Sequence, residues 1–537
     1  MSKSKLILFP ITSSVLLSLA WTSWFTGLIL IVAFIPLLIV EHHFYENRDK
    51  HGSRKVFLYA SLTFFIWNIL STYWIYNAAF VGVVAAVTVN TLLMSVVFWL
   101  FHITHRKLGN SFGYFGLIVY WIAFEHIYLN AEISWPWLNL GNGLSKDIIF
   151  IQWYEYSGTL GGTLWILLTN IFLFRFLLNY SALVKFRERV IQVSALVILI
   201  FFPMLFSVVT FMTYVETTNP CEIVIIQPNI DPYTEKFDGL SNEEQLTILL
   251  HFADSLVDSS TDYVIGPETA IDDNIWEKFI HQNRSILRVQ SFVDTYPQIK
   301  FLVGIVSRNN YEPGEKPSPT ARKFIDTDAY YDVYNAVIQV DTTDKIQLYY
   351  KSKLVVGVEK MPYPELFRFL EKFILDLGGT TGSYGIQEER TTLNDPVGKA
   401  RIGVAICYES VYGEYVTGYI KNGANLFCVI TNDGWWGNSG GHKQHLTYSS
   451  LRAIETRRSI ARSANTGISC FINQKGEILQ RTKWWEPAVI KATLNLNDKK
   501  TFYVHYGDYI GRVSGFFALI ALAYTLVNVL IKKKQTS

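Results

Sequence analysis

Charge is scarce in this 537-residue chain, and what there is cancels. Lys and Arg number 47 against 45 Asp and Glu, 17% of residues together, for a formal net charge of +2. Near-neutrality argues against a nucleic-acid binder working through a basic field. With half the residues apolar, the chain is not a disordered one either. Glycine (34) and proline (16) are too few for a collagen-like or low-complexity protein. Cysteine is rarer still: four, at 221, 407, 428 and 470, with no Cys-x-x-Cys and no histidine at metal-binding spacing. That pattern argues against zinc.

What charge there is falls unevenly. Residues 1–218 hold 13 Lys and Arg and 9 Asp and Glu, about 10% of that stretch, against about 22% for the remainder. The low-charge part breaks into hydrophobic runs at about 6–23, 24–40, 56–76, 79–103, 112–130, 160–178 and 190–214, and an eighth at 514–531. A bilayer requires runs of roughly 20 residues, and a soluble core has no place for seven consecutive helices without polar faces. Lys3 and Lys5, Arg48, Lys50, Arg54 and Lys55, Arg106 and Lys107, Lys185, Arg187 and Arg189, and Lys532–Lys534 all fall at the termini or on even connections. The odd connections hold almost none, Lys146 excepted. Basic residues stay on the cytoplasmic side, so both termini are expected inside and residues 219–508 outside. Cleavage of the first run as a signal peptide would remove a crossing that this alternation needs. The loop at 132–142, with Trp135 and Trp137, reads as interface anchors with room for a lipid-facing entrance.

Three segments follow from this division: seven membrane helices over 1–218, an α/β domain over 219–508, and a last membrane helix with its tail over 509–537. Within the second, short apolar runs at 222–227, 263–266, 300–306, 334–341, 345–350, 401–406, 425–431, 467–473 and 488–496 read as strands. Ser241-Asn242-Glu243-Glu244 is a capping box opening a helix. Further helices are expected across 280–296 and, longest of all, 442–463.

Cys428 and Cys470 lie inside apolar strand patterns and read as small buried hydrophobes. Cys407 ends the strand Ile402-Gly403-Val404-Ala405-Ile406, where a side chain is displayed at the sheet rim beside backbone N–H groups. Glu268, after Val264-Ile265-Gly266-Pro267, and Lys351, after Leu348-Tyr349-Tyr350, occupy the same kind of position. Singly, each reads as an ordinary rim charge or buried thiol. Together they offer a nucleophile, a carboxylate to take its proton and an ammonium for a developing oxyanion. A Cys–His site using His442 or His445 is an alternative.

Gly266-Pro267-Glu268-Thr269, Lys351-x-Lys353-Leu354-Val355, Ile406-Cys407-Tyr408-Glu409 and Thr431-Asn432-Asp433-Gly434-Trp435-Trp436-Gly437 resemble, in order, the Glu–Lys–Cys signatures of the nitrilase (carbon–nitrogen hydrolase) superfamily. With seven spans before and one after, the whole chain resembles the membrane-embedded branch of that superfamily, the apolipoprotein N-acyltransferases. The resemblance implies an α-β-β-α sandwich with Glu268 as general base, Lys351 as oxyanion stabiliser and Cys407 as nucleophile. It implies supporting or substrate-binding roles for Glu359, Tyr408, Glu409 and Phe237; the apolar segments Met361-Pro362-Tyr363 and Trp435-Trp436 are candidate acyl-chain contacts or lids, with core or interface packing the alternative. It further implies a phospholipid acyl donor, a diacylglyceryl-modified lipoprotein acceptor, the bacterial inner membrane, a monomer, and neither metal nor cofactor. Three departures stand out: Lys353 replaces the family's His, Val356-Gly357-Val358 replaces Pro-Phe-Gly, and Phe237 stands where many members have Trp. A membrane-tethered amidase acting on a small amide, and a transporter whose charged residue is Glu125, are the rival readings.

Overall fold

The computed structural model describes residues 1–179, 186–236, 239–325, 327–360 and 383–535. The chain forms two compact units: a helical one (Met1–Tyr76, Phe80–Thr213 and Tyr506–Ser537) and an α/β one (Tyr214–His505 with Asn77–Ala79).

The helical unit runs α1 (Lys3–Leu19), α2 (Leu30–Ala33), α3 (Ile35–Glu46), α4 (Arg54–Thr72), α5 (Phe80–Leu108), α6 (Asn110–Asn130), α7 (Tyr154–Leu178) and α8 (Phe186–Thr213). Seven helices among the described residues are long and apolar enough to cross a membrane: Gly27–Glu46, α4 to α8, and a C-terminal helix at Tyr509–Leu530. Helix α1, with 17 residues and Pro10 inside it, is shorter. In α4 a stripe of Val56, Ala60, Thr63, Phe64, Trp67 and Asn68 faces inward. Leu58, Phe65, Ile69 and Leu70 on its other side are exposed. A helix apolar all round is what hydrocarbon surroundings select.

Two expectations about this unit need correction. In the loop after α6, Trp137 is packed in the core rather than set out as an interface anchor. Trp137, Leu138, Leu140 and Leu144 are buried, Trp135 stacks on Trp137 at 5.2 Å, and the Tyr154 hydroxyl donates to the Gly141 carbonyl at 2.9 Å. A Cβ on Gly141 would stand 1.9 Å from the Thr159 carbonyl oxygen, so the close approach to α7 requires glycine. The second run extends past residue 40, and α3 buries Glu41, whose Oε1 contacts His102 Nδ1 (2.6 Å) and His105 Nδ1 (2.9 Å). A paired charge is tolerated where an isolated one is not, so the helix continues through it.

The α/β unit contains two sheets. Eight strands form the first: β1 (Pro220–Gln227), β2 (Tyr263–Ile265), β3 (Ile271–Trp276), β4 (Lys300–Asn310), β5 (Arg322–Lys323), β6 (Tyr330–Val340), β7 (Gln347–Tyr350) and, joining β1, the late strand β14 (Ala488–Asn495). The second has the order β13-β12-β11-β10-β9-β8. Its strands are β8 (Leu393–Asn394), β9 (Arg401–Ile406), β10 (Leu426–Thr431), β11 (Ile460–Ala464), β12 (Cys470–Ile472) and β13 (Ile478–Arg481).

Period-two alternation sorts β1 between two cores. Cys221, Ile223 and Ile225 pack with Val404, Ile406, Cys428 and Phe471 of the second sheet. Val224 and Ile226 pack under α9 (Asn242–Asp254) and α10 (Arg284–Thr295) through Leu246, Leu249, Val289 and Val293. On the far side, α11 (Gly413–Lys421) and α12 (Gly440–Thr456) contribute Val416, Tyr419, Ile420, Leu446 and Ala453. The layering is helix, sheet, sheet, helix. The capping box is present: Ser241 Oγ accepts from Glu244 N and Glu244 Oε2 from Ser241 N.

The helix expected over 442–463 ends at Thr456. Arg457 turns left-handed (φ 50°), and Arg458, fully buried, donates to the carbonyls of Thr456, Ala424 and Lys499. Residues 460–464 then form β11, parallel to β10. The strand expected over 467–473 is only Cys470–Ile472. All four thiols are free, and Cys428 and Cys470 lie inside β10 and β12.

Candidate active site

Three strand ends deliver the reactive groups. Glu268 follows β2, Lys351 follows β7 in the same sheet, and Cys407 follows β9 in the other. The turn carrying Glu268 presses on β4. A Cβ on Gly304 would lie 2.5 Å from Thr269 N and 2.7 Å from Glu268 Cα, so glycine there lets the carboxylate come down onto the site. Exposure is 6% for Glu268, 1% for Lys351 and 9% for Cys407. Water has little access.

Lys351 Nζ donates to Glu268 Oε1 at 3.0 Å and to Glu359 Oε1 at 2.8 Å. Burial alone would push its pKa down, but the two carboxylates outweigh it and hold the ammonium well above its ordinary value. The segment after Lys351 serves this contact. Gly357 (φ 84°) makes a tight turn, and Glu359 Oε2 accepts from Val355 N at 2.8 Å, which aims the other oxygen at the lysine. The Val356-Gly357-Val358 departure therefore still returns the glutamate. Lys353 Nζ lies 4.9 Å from the Tyr412 ring centre, a cation–π contact.

Sequence reasoning missed Asn335. Its Nδ2 donates to Glu268 Oε1 (2.8 Å) and Glu359 Oε1 (3.2 Å), and its backbone carbonyl accepts from the Lys351 backbone N–H at 2.8 Å. One residue thus sets the spacing of all three charges. It sits mid-strand in β6, and no motif announced it. Glu268 Oε2 accepts from Asn432 N at 3.1 Å, which ties the carboxylate to the end of β10.

Cys407 takes a left-handed backbone (φ 52°) and opens a 3₁₀ turn through Val411. Burial raises the thiol pKa, Glu268 adds to the rise, and Lys351 opposes it. The resting group is therefore a thiol, which needs a base as it reacts. Glu409 is fully buried and joins two arms of the site: Oε2 accepts from Ile406 N (2.8 Å), while Oε1 accepts from Ser352 N (2.7 Å), Tyr349 (2.8 Å) and Tyr415 (2.8 Å). It clamps the residue before Cys407 to the residue after Lys351.

Tyr408 is buried and edge-on to Tyr412 at 5.2 Å. Trp435 and Trp436 lie on the turn after Asn432, with Trp435 against Tyr233 (5.3 Å) and Trp436 against His445 (5.4 Å). His442 stacks on Trp484 at 3.7 Å. His445 has both ring nitrogens engaged: Nδ1 with Asp433 at 2.9 Å, Nε2 with Ser410 Oγ at 2.9 Å and the Cys407 carbonyl at 3.2 Å. Neither histidine fits a Cys–His base. Phe237 and Met361-Pro362-Tyr363 lie outside the described residues.

Both parts of the chain are similar to known proteins. Residues 13–172 match the family described as the apolipoprotein N-acyltransferase N-terminal domain, and residues 300–502 match carbon-nitrogen hydrolase. The apolipoprotein N-acyltransferase of Chlorobaculum tepidum is 28% identical across 96% of this chain and 97% of its own length. That of Geobacter metallireducens is 26% identical across 96% and 95%. Over nearly its full length the chain is similar to apolipoprotein N-acyltransferases. Its α/β unit is nitrilase-like. Among solved structures it is similar to yeast Nit3 of the nitrilase superfamily (14% identity, TM-score 0.37, covering 52% of this chain and 91% of that one). An amidase of Nesterenkonia from the same superfamily also matches (13%, 0.38, 56% and 99%).

Proposed function

We propose that this chain moves a fatty acyl group from a phospholipid, through a thioester on Cys407, to the N-terminal amine of a diacylglyceryl-cysteine in a lipoprotein. The observation that carries the reading is the buried Glu268–Lys351–Glu359 cluster at the strand ends beside Cys407, in a chain similar to N-acyltransferases over nearly its full length. Glu268 takes the thiol proton as sulfur attacks the ester carbonyl. Lys351 and backbone N–H groups hold the tetrahedral oxyanion. The C–O bond then breaks, the proton passes from Glu268 to the leaving oxygen, and a lysophospholipid departs. In the second half-reaction the acceptor amine attacks the thioester, Glu268 takes an amine proton, the C–S bond breaks and sulfur regains its proton. An amide remains. Two half-reactions at one nucleophile imply ping-pong kinetics.

Both substrates are anchored in a bilayer, and withdrawing an acyl chain into water costs about 0.8 kcal/mol per CH₂. The helical unit supplies the membrane setting. The basic-residue pattern supports eight crossings counting α1, both termini in the cytoplasm and the α/β unit outside. Trp435, Trp436 and Phe237 are contacts for the acyl chain, and the enzyme acts as a monomer.

Incubation of the full-length protein with a defined phospholipid, followed by intact mass, tests the reading. The expected result is a gain of one acyl group, released by neutral hydroxylamine and absent in Cys407→Ala. A tethered amidase would hold no such label, and its absence under turnover would overturn the proposal.

A further inference from the structure

The carbonyl of Cys407 lies against two buried polar side chains. Ser410 Oγ donates to it at 2.8 Å and His445 Nε2 lies 3.2 Å from it. In the tautomer with its proton on Nε2, that nitrogen donates to the carbonyl; Ser410 Oγ also lies 2.9 Å from it, and Arg462 Nη2 lies 3.1 Å from Nδ1. The ring is held from its other side by Asp433 Oδ1 (2.9 Å), and Asp433 Oδ2 is held by Arg462 Nη2 (2.6 Å). Burial would raise the Asp433 carboxyl, but Arg462 and His445 bring it down to about 2, so it is a fixed anion. Ser410, His445, Asp433 and Arg462 are all buried, with exposures of 0 or 1%. The serine, histidine and aspartate line up as in a hydrolytic triad, yet the hydroxyl is sealed from solvent and spent on a backbone carbonyl. The arrangement holds a peptide in place.

That peptide joins Cys407 to Tyr408. A trans peptide is planar, so fixing its C=O fixes its N–H on the opposite side. Cys407 needs such a hold, because its φ of 52° is costly for a residue with a Cβ. Seven residues after His445 on the same helix, Arg452 reinforces it: Nη1 donates to the Val411 carbonyl at 2.8 Å at the far end of the turn, and Glu455 neutralises it.

We propose that His445, oriented by Asp433, and Ser410 act together as a peptide lock. They hold the Cys407–Tyr408 peptide so that its N–H is aimed in advance at the oxyanion formed when Cys407 attacks an acyl carbonyl. His445 and Ser410 are positioning residues, since neither touches the reacting atoms. The inference rests on Cys407 being the acylated nucleophile.

The lock predicts a split between two reactions of one thiol. Acylation by phospholipid passes through an oxyanion, whereas alkylation by iodoacetamide does not. Both are followed by intact mass in the full-length protein, with the folded fraction measured by thermal melting. His445→Ala is expected to slow acylation about 100-fold, the scale of losing one oxyanion-hole donor, with alkylation within threefold of wild type. Ser410→Ala is expected to slow acylation about tenfold. His445→Gln, which keeps a side-chain N–H near the carbonyl, is expected to recover at least a third of the loss on a logarithmic scale. Folded His445→Ala acylating at the wild-type rate, or slowing equally in both reactions, overturns the lock. Where His445→Ala does not fold, Ser410→Ala decides, and acylation within threefold of wild type overturns it. Wild type that never acylates on Cys407 refutes the acyltransfer reading instead, which keeps the two failures apart.

Discussion

Glu125 in the helical unit and Glu268 in the α/β unit are both shielded from solvent, at 1% and 6% exposure, yet their partners differ in kind. Glu125 accepts from the Trp121 indole one turn earlier on its own helix (3.0 Å), the Leu140 backbone (2.8 Å) and the Thr163 hydroxyl of α7 (2.6 Å), all neutral donors. It works as a rivet that fastens the loop after α6 to the bundle. Glu268 shares an ammonium with a second carboxylate and stands electrostatically coupled to a thiol. Burial makes each expensive, and only the second arrangement has somewhere to send a proton. A buried acid thus signals chemistry through its partners, and this separates the enzyme reading from a transporter built around Glu125.

The sharpest break in the comparison is to neutralise each acid in turn. Glu268→Gln keeps the shape and removes the proposed base, so acylation of Cys407 is expected to fall by about 10³-fold while the protein still folds. Glu125→Gln is expected to leave turnover within threefold and lower the melting temperature by about 2 °C, since Thr163 can turn its hydroxyl to accept from the new amide. Similar activity losses in the two variants would mean that the rivet takes part in function.

Glu409 tests a middle case, an acid with neutral donors but placed between the arms of the site. Replacing it by Gln puts an amide N–H against the Ile406 N–H, an uncompensated clash of donors worth about 1–3 kcal/mol. Turnover is expected to fall about 100-fold, with a raised unfolding tendency; a variant with wild-type kcat would show that the clamp is dispensable. Asn335→Leu removes one shared donor while the Lys351–carboxylate contacts remain. About a tenfold loss in kcat, with KM unchanged, is expected; a change in KM alone would move Asn335 from the charge cluster to substrate binding.

The parts legible in the sequence were those where a local rule coincides with the fold. Glu268, Lys351 and Cys407 each follow an apolar run with strand character, so strand ends placed them. Ser241 and Glu244 announced a helix start through their spacing. Asn335 and the His445 contact were opaque because each acts across the gap between elements far apart in order, and a mid-strand asparagine carries no local signature. The 457–464 segment misled for the opposite reason: Arg457-Arg458 continues a plausible helix, and only the burial of Arg458 against three carbonyls ends it. Trp137 misled because a tryptophan at a helix end looks the same whether it meets lipid or core.

His442 offers the gentlest test, one that leaves the chemistry at neutral pH untouched. Burial against Trp484 drives its pKa down to about 4, with Asp433 opposing and Lys443 and Arg462 adding to the fall. An unfolded imidazole titrates near 6.5. Between those values the unfolded chain binds a proton that the folded one refuses, so stability falls as pH drops from about 6.5 to about 4 and levels off below. The shift corresponds to at most about 3 kcal/mol. His442→Phe keeps a flat ring on Trp484 and removes the titration. The variant is therefore expected to lose less melting temperature than wild type between pH 7 and pH 4.5, with the two converging above pH 7. Parallel curves across that interval would show that His442 is charged in the fold, and that the stack on Trp484 is cationic rather than neutral.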